Sequence, residues 1–412
     1  MRRRVVVTGM GIVCPIGNTL EEAWNSVRKS ICGIDKIEAF STDKYKVKLA
    51  AEVKNLDMEQ YFTKREMKFN ARFTQFARIA AKQAYEDSGL GDCNFDRDRF
   101  GVILGSGVGG LQNIESANET LNDRGPDRVT PFFIPMALIN LAPGNVAIDL
   151  QAYGNCSSIV TACAASTSSI GEAYHRIREN YEDVIAAGGS ESAITPLGVA
   201  GFQSMRALHT GDDPSRASIP FDAERSGFVM GEGAGILMLE ELEHAKARNA
   251  KIYGEIIGYG ASCDAHHITA PREDGSGAAK AMSHALSDAE LNPETIDYIN
   301  AHGTSTSLND KGETMAVKSV FGTHCKNLLI SSTKSMTGHL LGGSGAVEAV
   351  FTIKALQEGF VPATINYQVK DSECDLNVVP NVGLEKEIHC ALSNSFGFGG
   401  HNASIVLKKW ED

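Results

Sequence analysis

The chain alternates between short, almost wholly apolar runs and longer segments in which apolar residues recur every three or four positions. The apolar runs cover residues 3–13, 100–110, 182–193 and 296–306, and each leads into glycine or small polar residues. Runs of this kind are typical of strands buried on both faces. Segments such as residues 74–90 have the helical period. The alternation predicts an α/β architecture in which helices sandwich the strands.

Two pairs of segments indicate an internal repeat. Residues 231–241 and 400–410 share a glycine, small residues and an apolar run, 169 positions apart. Residues 157–163 and 331–337 both begin with Ser-Ser and precede helices rich in small residues, 174 positions apart. The two offsets nearly agree, so we interpret the chain as duplicated, although short glycine-rich strands also resemble one another by chance. The predicted halves are residues 1–250 and 251–412, with active-site loops where they meet.

Composition and charge narrow the class of protein. The chain has 412 residues, of which 42% are hydrophobic and 22% charged, as in a globular protein with a sizeable core. A net charge of −12 argues against nucleic acid as a partner and leaves room for a local basic patch. Nine cysteines without a CxxC pair predict reduced thiols and a cytoplasmic location.

The amino-terminal segment has a basic head and an apolar run, which could be mistaken for a signal peptide. Glycines and Pro15 interrupt the run, so it predicts a buried strand and a turn. No other stretch approaches the ~18 uninterrupted apolar residues of a membrane span. We therefore expect no membrane insertion.

Cys163 lies among small residues in the segment SSIVTACAASTSSIGEAY. Apolar residues with helical spacing follow it from Ile170 to Ile177, and Ile159 and Val160 indicate the end of a strand before it. At such a strand-to-helix turn, unpaired backbone N–H groups and the helix dipole favour a thiolate. The pattern therefore predicts a nucleophilic cysteine with a lowered pKa. The alternative is a small core cysteine.

Two histidines and one lysine of the second half occupy turns rich in glycine and threonine. His302 follows a predicted strand in NAHGTSTSLND, and Lys334 and His339 precede a predicted helix in STKSMTGHLLGG. Loop histidines are often only structural, but two at element ends beside a lysine make a candidate site. Metal binding fits poorly, because no HExxH, HxH or CxxC spacing occurs.

Glycine clusters such as GMGIVCPIG and SFGFGGHN raise the question of nucleotide binding. The dinucleotide fingerprint needs a third glycine where Cys14 stands. Close backbone approach, or backbone N–H groups directed at an oxyanion, explains the glycines equally well.

Five motifs occur in a fixed order along nearly the whole chain: TACAAS, FDAERSGFVMGEGAG, AHGTST, STKSMTGH and NSFGFGGHN. The ordered set resembles the β-ketoacyl-[acyl-carrier-protein] synthases of the thiolase superfamily, closest to the synthase II group of type II fatty acid synthesis. The resemblance implies a thiolase-like duplicated five-layer αβαβα fold and a homodimer. It implies no cofactor, because the substrates arrive on the phosphopantetheine arm of acyl carrier protein.

The resemblance also assigns the reaction. An acyl chain moves from its carrier thioester to Cys163, malonyl carrier protein loses CO2, and the carbanion attacks the enzyme thioester. His302 and His339 would donate hydrogen bonds during decarboxylation. Lys334, paired with Glu348, would orient or polarise this group of side chains. Backbone N–H groups of Cys163 and Phe398 would form the oxyanion hole.

Further residues follow from the same resemblance. Thr304, Thr306 and Thr269 are the expected contacts to the phosphopantetheine arm. Phe398 would gate the acyl tunnel, and Val108 would line its deeper end.

A basic patch is predicted for docking the acidic carrier protein. The segment YFTKREMKFNAR places Lys64, Arg65, Lys68 and Arg72 near one helical face, and Arg206 follows a second exposed turn. A merely solvated charged face is the alternative.

Other functions remain open at this stage. A Cys–His thiol hydrolase would leave the second histidine and Lys334 without a role. A silent partner subunit of a polyketide pair would not need to retain the catalytic set, and a thiolase would carry a second cysteine near the C-terminus. A polyketide ketosynthase or a synthase I would use the same chemistry.

Overall fold

The structure, a computed structural model, describes residues 2–411. The strands are β1 (Val5–Val13), β2 (Asp35–Lys36), β3 (Leu49–Ala50), β4 (Phe100–Gly105), β5 (Cys156–Ile159), β6 (Val184–Glu191), β7 (Gly233–Glu241), β8 (Gly254–Cys263), β9 (Tyr298–Asn300), β10 (Leu329–Ser331), β11 (Phe360–Val361), β12 (Leu384–Glu385), β13 (Cys390–Gly397) and β14 (His401–Lys409). The helices are α1 (Leu20–Arg28), α2 (Lys64–Phe69), α3 (Arg72–Ser88), α4 (Leu111–Arg124), α5 (Phe133–Ala137), α6 (Leu141–Leu150), α7 (Ala165–Arg178), α8 (Pro196–Ser204), α9 (Leu242–Ala247), α10 (Ser276–Asp288), α11 (Ser307–Phe321), α12 (Lys334–Thr337) and α13 (Ser344–Glu358).

Ten strands form one sheet whose two halves repeat the same order. Outward from β1 the strands are β7, β6, β4 and β5, and outward from β8 they are β14, β13, β9 and β10. The inner pairings are antiparallel and the outer two are parallel in both halves. The halves join where Val5–Val7 pair with residues 254–256. The repeated segments of the sequence contain β7 and β14, which occupy equivalent places.

Helices form three layers around the two half-sheets. α7 and α13 lie between them, with Ile170 and Val350 in one core cluster. α3 packs on the first half-sheet, and Phe76 belongs to the same core cluster as Phe100. α10 packs on the second, and Met282 belongs to the same core cluster as Ile299. The layers therefore follow the order αβαβα. The predicted boundary at residue 250 falls between α9 and β8.

The central helices are buried far beyond the single apolar face that the sequence indicated. In α13 every residue from Ser344 to Ile353 is buried, and α7 is buried continuously from Ala165 to Gly171. Small side chains permit this, because they let helices and strands approach closely. Within residues 2–411, no helix combines the length and the apolar character needed to cross a membrane.

Both central helices begin at a short turn of 3-10 helix, Ala162–Ala164 before α7 and Leu341–Gly343 before α13. The first residue of each turn has a positive φ, 49° at Ala162 and 47° at Leu341. This conformation is unfavourable for a residue with a side chain and persists only where the surroundings enforce it. The fold therefore stores strain at two equivalent points.

Candidate active site

One cavity of about 340 Å³ brings together residues from both halves of the chain. Its walls come from the turn before α7, the connection between β6 and β7, the loops after β8 and β9, and the turn between β13 and β14. The predicted site residues that line it are Cys163, Arg206, Thr269, His302, Thr304, Thr306, His339 and Phe398.

Cys163 occupies the strained turn between β5 and α7, as the sequence pattern predicted. Burial raises the pKa of its thiol to about 12, although the Lys334 ammonium and two backbone N–H groups act in the opposite direction. The predicted lowering of the pKa is therefore wrong, because the helix terminus does not offset the loss of water around a thiolate. The thiol is protonated at neutral pH and must release its proton as it attacks.

The backbone N–H groups of Phe398 and of Cys163 itself lie near the Cys163 sulfur, and both act to lower the pKa of its thiol. Gly397 permits this approach, because a Cβ there would lie 3.0 Å from the Cys163 nitrogen and 2.7 Å from the Thr161 oxygen. Gly399 follows with φ 85°, which a side chain would disfavour. Two converging N–H donors beside a nucleophile are the geometry of an oxyanion hole.

His302 lies two residues beyond β9 and is 2% exposed. Its backbone N–H donates to Glu313 on α11 (2.9 Å), and the next residue, Gly303, donates to the same carboxylate (2.8 Å). The ring atom Nδ1 is buried without a hydrogen-bond partner. Glu313 therefore fixes the backbone of the loop while a polar atom of the imidazole stays unpaired.

His339 faces His302 with the ring centroids 5.3 Å apart and the planes almost perpendicular. Its Nδ1 is 2.9 Å from the hydroxyl of Ser344 at the start of α13. Burial and the nearby Lys334 ammonium hold the pKa of both imidazoles well below the usual histidine value. Both are neutral at pH 7, so each has one N–H to donate and one nitrogen to accept a proton.

Lys334 and Glu348 form a buried ion pair behind the two histidines, 1% and 2% exposed. Burial raises the pKa of Glu348 to about 7, against the lowering effect of Lys334. The second carboxylate oxygen, Oε2, has no partner. Lys334 does not line the cavity, so it acts on the two imidazoles through its positive charge, which lowers their pKa, and not by contact with a ligand.

The three predicted threonine contacts lie along the cavity wall. Thr304 and Thr306 share a hydrogen bond between their hydroxyls (2.9 Å). Thr269 is half-buried and its backbone N–H donates to His267 Nδ1 (3.1 Å). Hydroxyls along one wall can bind the amides of an extended polar chain.

Val108 does not line this cavity. It packs instead in an apolar cluster behind the wall, together with Leu341, Phe202 and Phe228, which do line it. The Phe398 ring, which also lines the cavity, lies 6.4 Å from the Phe202 ring, measured between their centroids. A chain entering from Cys163 would have to displace side chains to reach Val108.

Lys64, Arg65 and Lys68 are exposed on the short helix α2, and Arg206 is exposed at the cavity. Arg72 differs from the prediction. α2 ends at Phe69 and Asn70 is extended, so Arg72 begins a separate helix. Its guanidinium forms a bidentate pair with buried Glu232 (2.9 and 2.6 Å) and is not available for docking.

Sequence reasoning missed the carboxylates and hydroxyls that hold the site. Glu313 and Ser344 bind the two histidine segments, and buried Glu191 binds loops from both halves. The one available signal was the place of Glu191 in an apolar strand, where an ionisable residue is rare. Within residues 2–411, no three His, Cys, Asp or Glu side chains converge as a metal site would require.

Comparisons with known proteins agree with this geometry. The models of the beta-ketoacyl synthase N-terminal and C-terminal domains match residues 2–245 and 253–368. A Synechocystis sp. protein named 3-oxoacyl-[acyl-carrier-protein] synthase 2 is 50% identical over 411 residues, covering 100% of this chain and 99% of that protein.

Two solved structures share the fold over 100% of both chains. The ishigamide ketosynthase/chain length factor is 34% identical with a TM-score of 0.94. A type II PKS acyl-carrier protein in complex with its ketosynthase gives 34% identity and a TM-score of 0.92. The predicted thiolase-like fold is thus confirmed, and the chain belongs to the β-ketoacyl synthase family.

Proposed function

We propose that the chain elongates acyl thioesters by decarboxylating Claisen condensation with malonyl carrier protein, releasing 3-oxoacyl carrier protein and CO2. The observation that carries this proposal is the meeting of three groups in one cavity. They are a half-buried thiol, two backbone N–H groups beside it, and two neutral imidazoles.

In the first step the Cys163 sulfur attacks the acyl thioester carbonyl. Because the pKa of the thiol is about 12, its proton must leave during attack, and a neutral imidazole of the pair accepts it. The carbonyl oxygen becomes an oxyanion on the N–H groups of Cys163 and Phe398, each worth ~3 kcal/mol in such sites. Collapse forms the acyl-enzyme, and the carrier thiolate leaves with the proton from the imidazolium.

In the second step the malonyl group loses CO2 and its electron pair becomes an enolate. His302 and His339 donate their N–H groups to the thioester oxygen that takes the charge. Neutral imidazoles suit this role, because they stabilise the enolate without protonating its carbon. The enolate carbon then attacks the acyl-Cys163 carbonyl, the new C–C bond forms, and the Cys163 thiolate leaves. A proton from water then restores the thiol.

The acyl carrier is the proposed partner. A structural neighbour was solved as a ketosynthase with its acyl-carrier protein. Exposed Lys64, Arg65 and Lys68 offer a basic patch within a chain of net charge −12, and Arg206 adds a cation at the cavity mouth. The phosphopantetheine arm would pass Thr269, Thr304 and Thr306, and the chemistry needs no further cofactor.

We assign the pathway to fatty acid synthesis. The Synechocystis relative is more similar (50% identical) than the polyketide-type structural neighbour (34%). A thiol hydrolase would need one histidine, whereas two buried imidazoles with a common lysine suit decarboxylation. The cytoplasmic location stays a prediction.

A homodimer is proposed from the uneven edges of the sheet. The edge strand β10 is buried, whereas its counterpart β5 is only partly covered. An open edge beside exposed apolar residues favours pairing with a second copy. These exposed residues are Ile148 on α6, which packs against β5, and Tyr153 and Val160, which flank β5 in the chain. Sedimentation of the wild type and of Ile148→Asp tests this, and a monomeric wild type would contradict it.

The function is tested by offering acyl carrier proteins of several lengths with labelled malonyl carrier protein. We expect labelled CO2 and a 3-oxoacyl product two carbons longer, identified by mass. Release of free acid without CO2 would support the hydrolase instead. Cys163→Ser serves as the blank.

A further inference from the structure

Glu191 is a fully buried carboxylate at the end of β6, with no assigned part in the chemistry above. It accepts five hydrogen bonds, all from uncharged donors. They are Ser106 Oγ (2.9 Å) and the backbone N–H groups of Gly107 (2.6 Å), Val108 (3.2 Å), Gly109 (3.1 Å) and Gly342 (3.1 Å). A buried carboxylate is costly unless donors surround it. Successive N–H groups of a glycine-rich loop form an anion-binding nest, and here the protein's own side chain fills it.

The two oxygens connect different halves of the chain. Oε1 accepts from Ser106, Val108 and Gly109, which follow β4. Oε2 accepts from Gly107 and also from Gly342, which precedes α13. The carboxylate thus bridges two loops that belong to different halves of the chain.

The fit between these loops leaves no spare room. A Cβ on Gly342 would lie 2.3 Å from the nitrogen of Gly107, and one on Gly107 would lie 2.8 Å from Glu191 Oε2. The two loops therefore approach each other as closely as glycine permits, with the Glu191 carboxylate at their contact.

Each loop carries one apolar side chain of the cluster behind the cavity. Val108 lies in the first loop and Leu341 in the second, and they pack in the same cluster with Phe202. Leu341 and Phe202 also line the cavity that contains Cys163. Leu341 and Phe202 are therefore the part of the cluster that a chain attached to Cys163 would meet first, with Val108 behind them.

We propose that Glu191 is a positioning residue that fixes Val108 against Leu341 and so sets which acyl chain lengths the enzyme accepts. The proposal rests on the proposed function, because only an acyl-enzyme needs such a pocket. Long acyl chains depend on the surface formed by Val108 and Leu341 more than short ones do. Each further methylene in a pocket needs a fixed apolar surface to contact.

Glu191→Gln is the discriminating change. An amide has nearly the same shape but only one acceptor oxygen, so at least two of the five donors face an NH2 group and lose their partner. The loops then separate, whereas none of the lost hydrogen bonds belongs to Cys163, His302 or His339. The Glu191 charge also raises the pKa of the Cys163 thiol, but this influence is the same for every acyl chain and cancels in a ratio of acylation rates.

The experiment measures acylation of Cys163 by hexanoyl and dodecanoyl carrier protein, using intact-protein mass spectrometry. For Glu191→Gln we expect the dodecanoyl-to-hexanoyl rate ratio to fall about tenfold, the range by which a pocket separates small differences in chain length. The matched control is Glu240→Gln, a second fully buried carboxylate of the same half, bonded to Thr8 and Arg248. It should lower the thermal midpoint and leave the ratio unchanged.

Ser106→Ala removes a single donor and provides a milder second variant should Glu191→Gln not fold. Its ratio should fall about twofold in the same direction, since one hydrogen bond of five is lost. An unchanged ratio in both variants, with normal condensation by the wild type, overturns the role of Glu191 alone. A wild type that forms no acyl-Cys163 and no 3-oxoacyl product overturns the proposed function itself.

Discussion

The turns that begin α7 and α13 are the same piece of structure used in two ways. Ala162, Cys163 and Ala164 match Leu341, Gly342 and Gly343 in backbone shape, and the first residue of each has a positive φ. In the first half the middle residue carries a thiol. In the second half it is a glycine whose N–H is bound by Glu191. The repeated fold therefore supplies two strained turns, and the side chains decide which of them performs chemistry.

The connections between the last two strands of each half also differ, in length and in what they supply to the site. Residues 192–232 join β6 to β7, and this long segment provides Phe202, Arg206 and Phe228 to the cavity. In the second half a tight turn joins β13 to β14 and provides the N–H of Phe398. One half thus covers the site and the other completes its oxyanion hole, so neither half suffices alone.

The largest effect is expected at the thiol. Cys163→Ser should abolish acyl-enzyme formation, because a serine hydroxyl gives up its proton far less readily during attack than a thiol and is a far weaker nucleophile. Intact-protein mass spectrometry after incubation with acyl carrier protein measures the adduct. Cys93→Ser, distant from the cavity, should acylate normally. An adduct that maps to another cysteine would remove Cys163 from its role.

The histidines should separate the two half-reactions. His302→Ala and His339→Ala each remove an N–H donor to the enolate, so CO2 release should fall about 10²- to 10⁴-fold, the usual contribution of such a group. Transfer of the acyl chain to Cys163 should persist in part. Labelled CO2 and acyl-enzyme are measured on the same samples, and equal losses in both would contradict this division.

The two turns should respond differently to a methyl group at their middle residue. Gly342→Ala places a Cβ 2.3 Å from a backbone nitrogen and should cost about 1–3 kcal/mol, as overpacking typically does. The wild-type residue at position 163 already carries a Cβ, so Cys163→Ala adds no atom to the turn. It should change the free energy of unfolding by less than about 1 kcal/mol. Denaturant unfolding compares them. Equal stabilities of the two variants would mean that the turn at Gly342 is not constrained by the loop at Gly107.

The pH dependence of Cys163 alkylation distinguishes a raised from a lowered pKa. With the pKa near 12, the thiolate fraction should rise about tenfold per pH unit between pH 7 and 10, without a plateau. A thiol activated by the helix terminus would instead reach a plateau near neutrality. The rate of Cys163 alkylation by iodoacetamide, followed by intact-protein mass spectrometry at each pH, measures this dependence. Cys163→Ser serves as the blank.

The smallest effect is expected at the docking patch. Lys64→Glu with Lys68→Glu should raise the KM for acyl carrier protein about three- to tenfold at low salt and less at high salt, because rim charges act mainly on encounter. Lys326→Glu, an exposed lysine of the second half, is the matched control. A KM that stays constant at low salt would argue against docking on α2.

The sequence by itself determined the fold class and most of the reacting side chains. Buried strands appear in the sequence as continuous apolar runs. The turn of small residues at Cys163 and the glycine- and threonine-rich turns at His302 and His339 mark the site, because loops at element ends present side chains to a shared cleft. The pairing of Lys334 with Glu348 was also anticipated, and the structure has this ion pair.

Only the tertiary structure decided how those groups behave. The pKa of Cys163 depends on how much water burial removes, and the neutrality of the two imidazoles depends on a lysine charge brought close by folding. The part played by Glu191 required two loops from different halves to meet at one carboxylate. Local sequence patterns indicate which residues are present. The solvation of those residues and their distances from other charges depend on contacts between segments that are far apart along the chain.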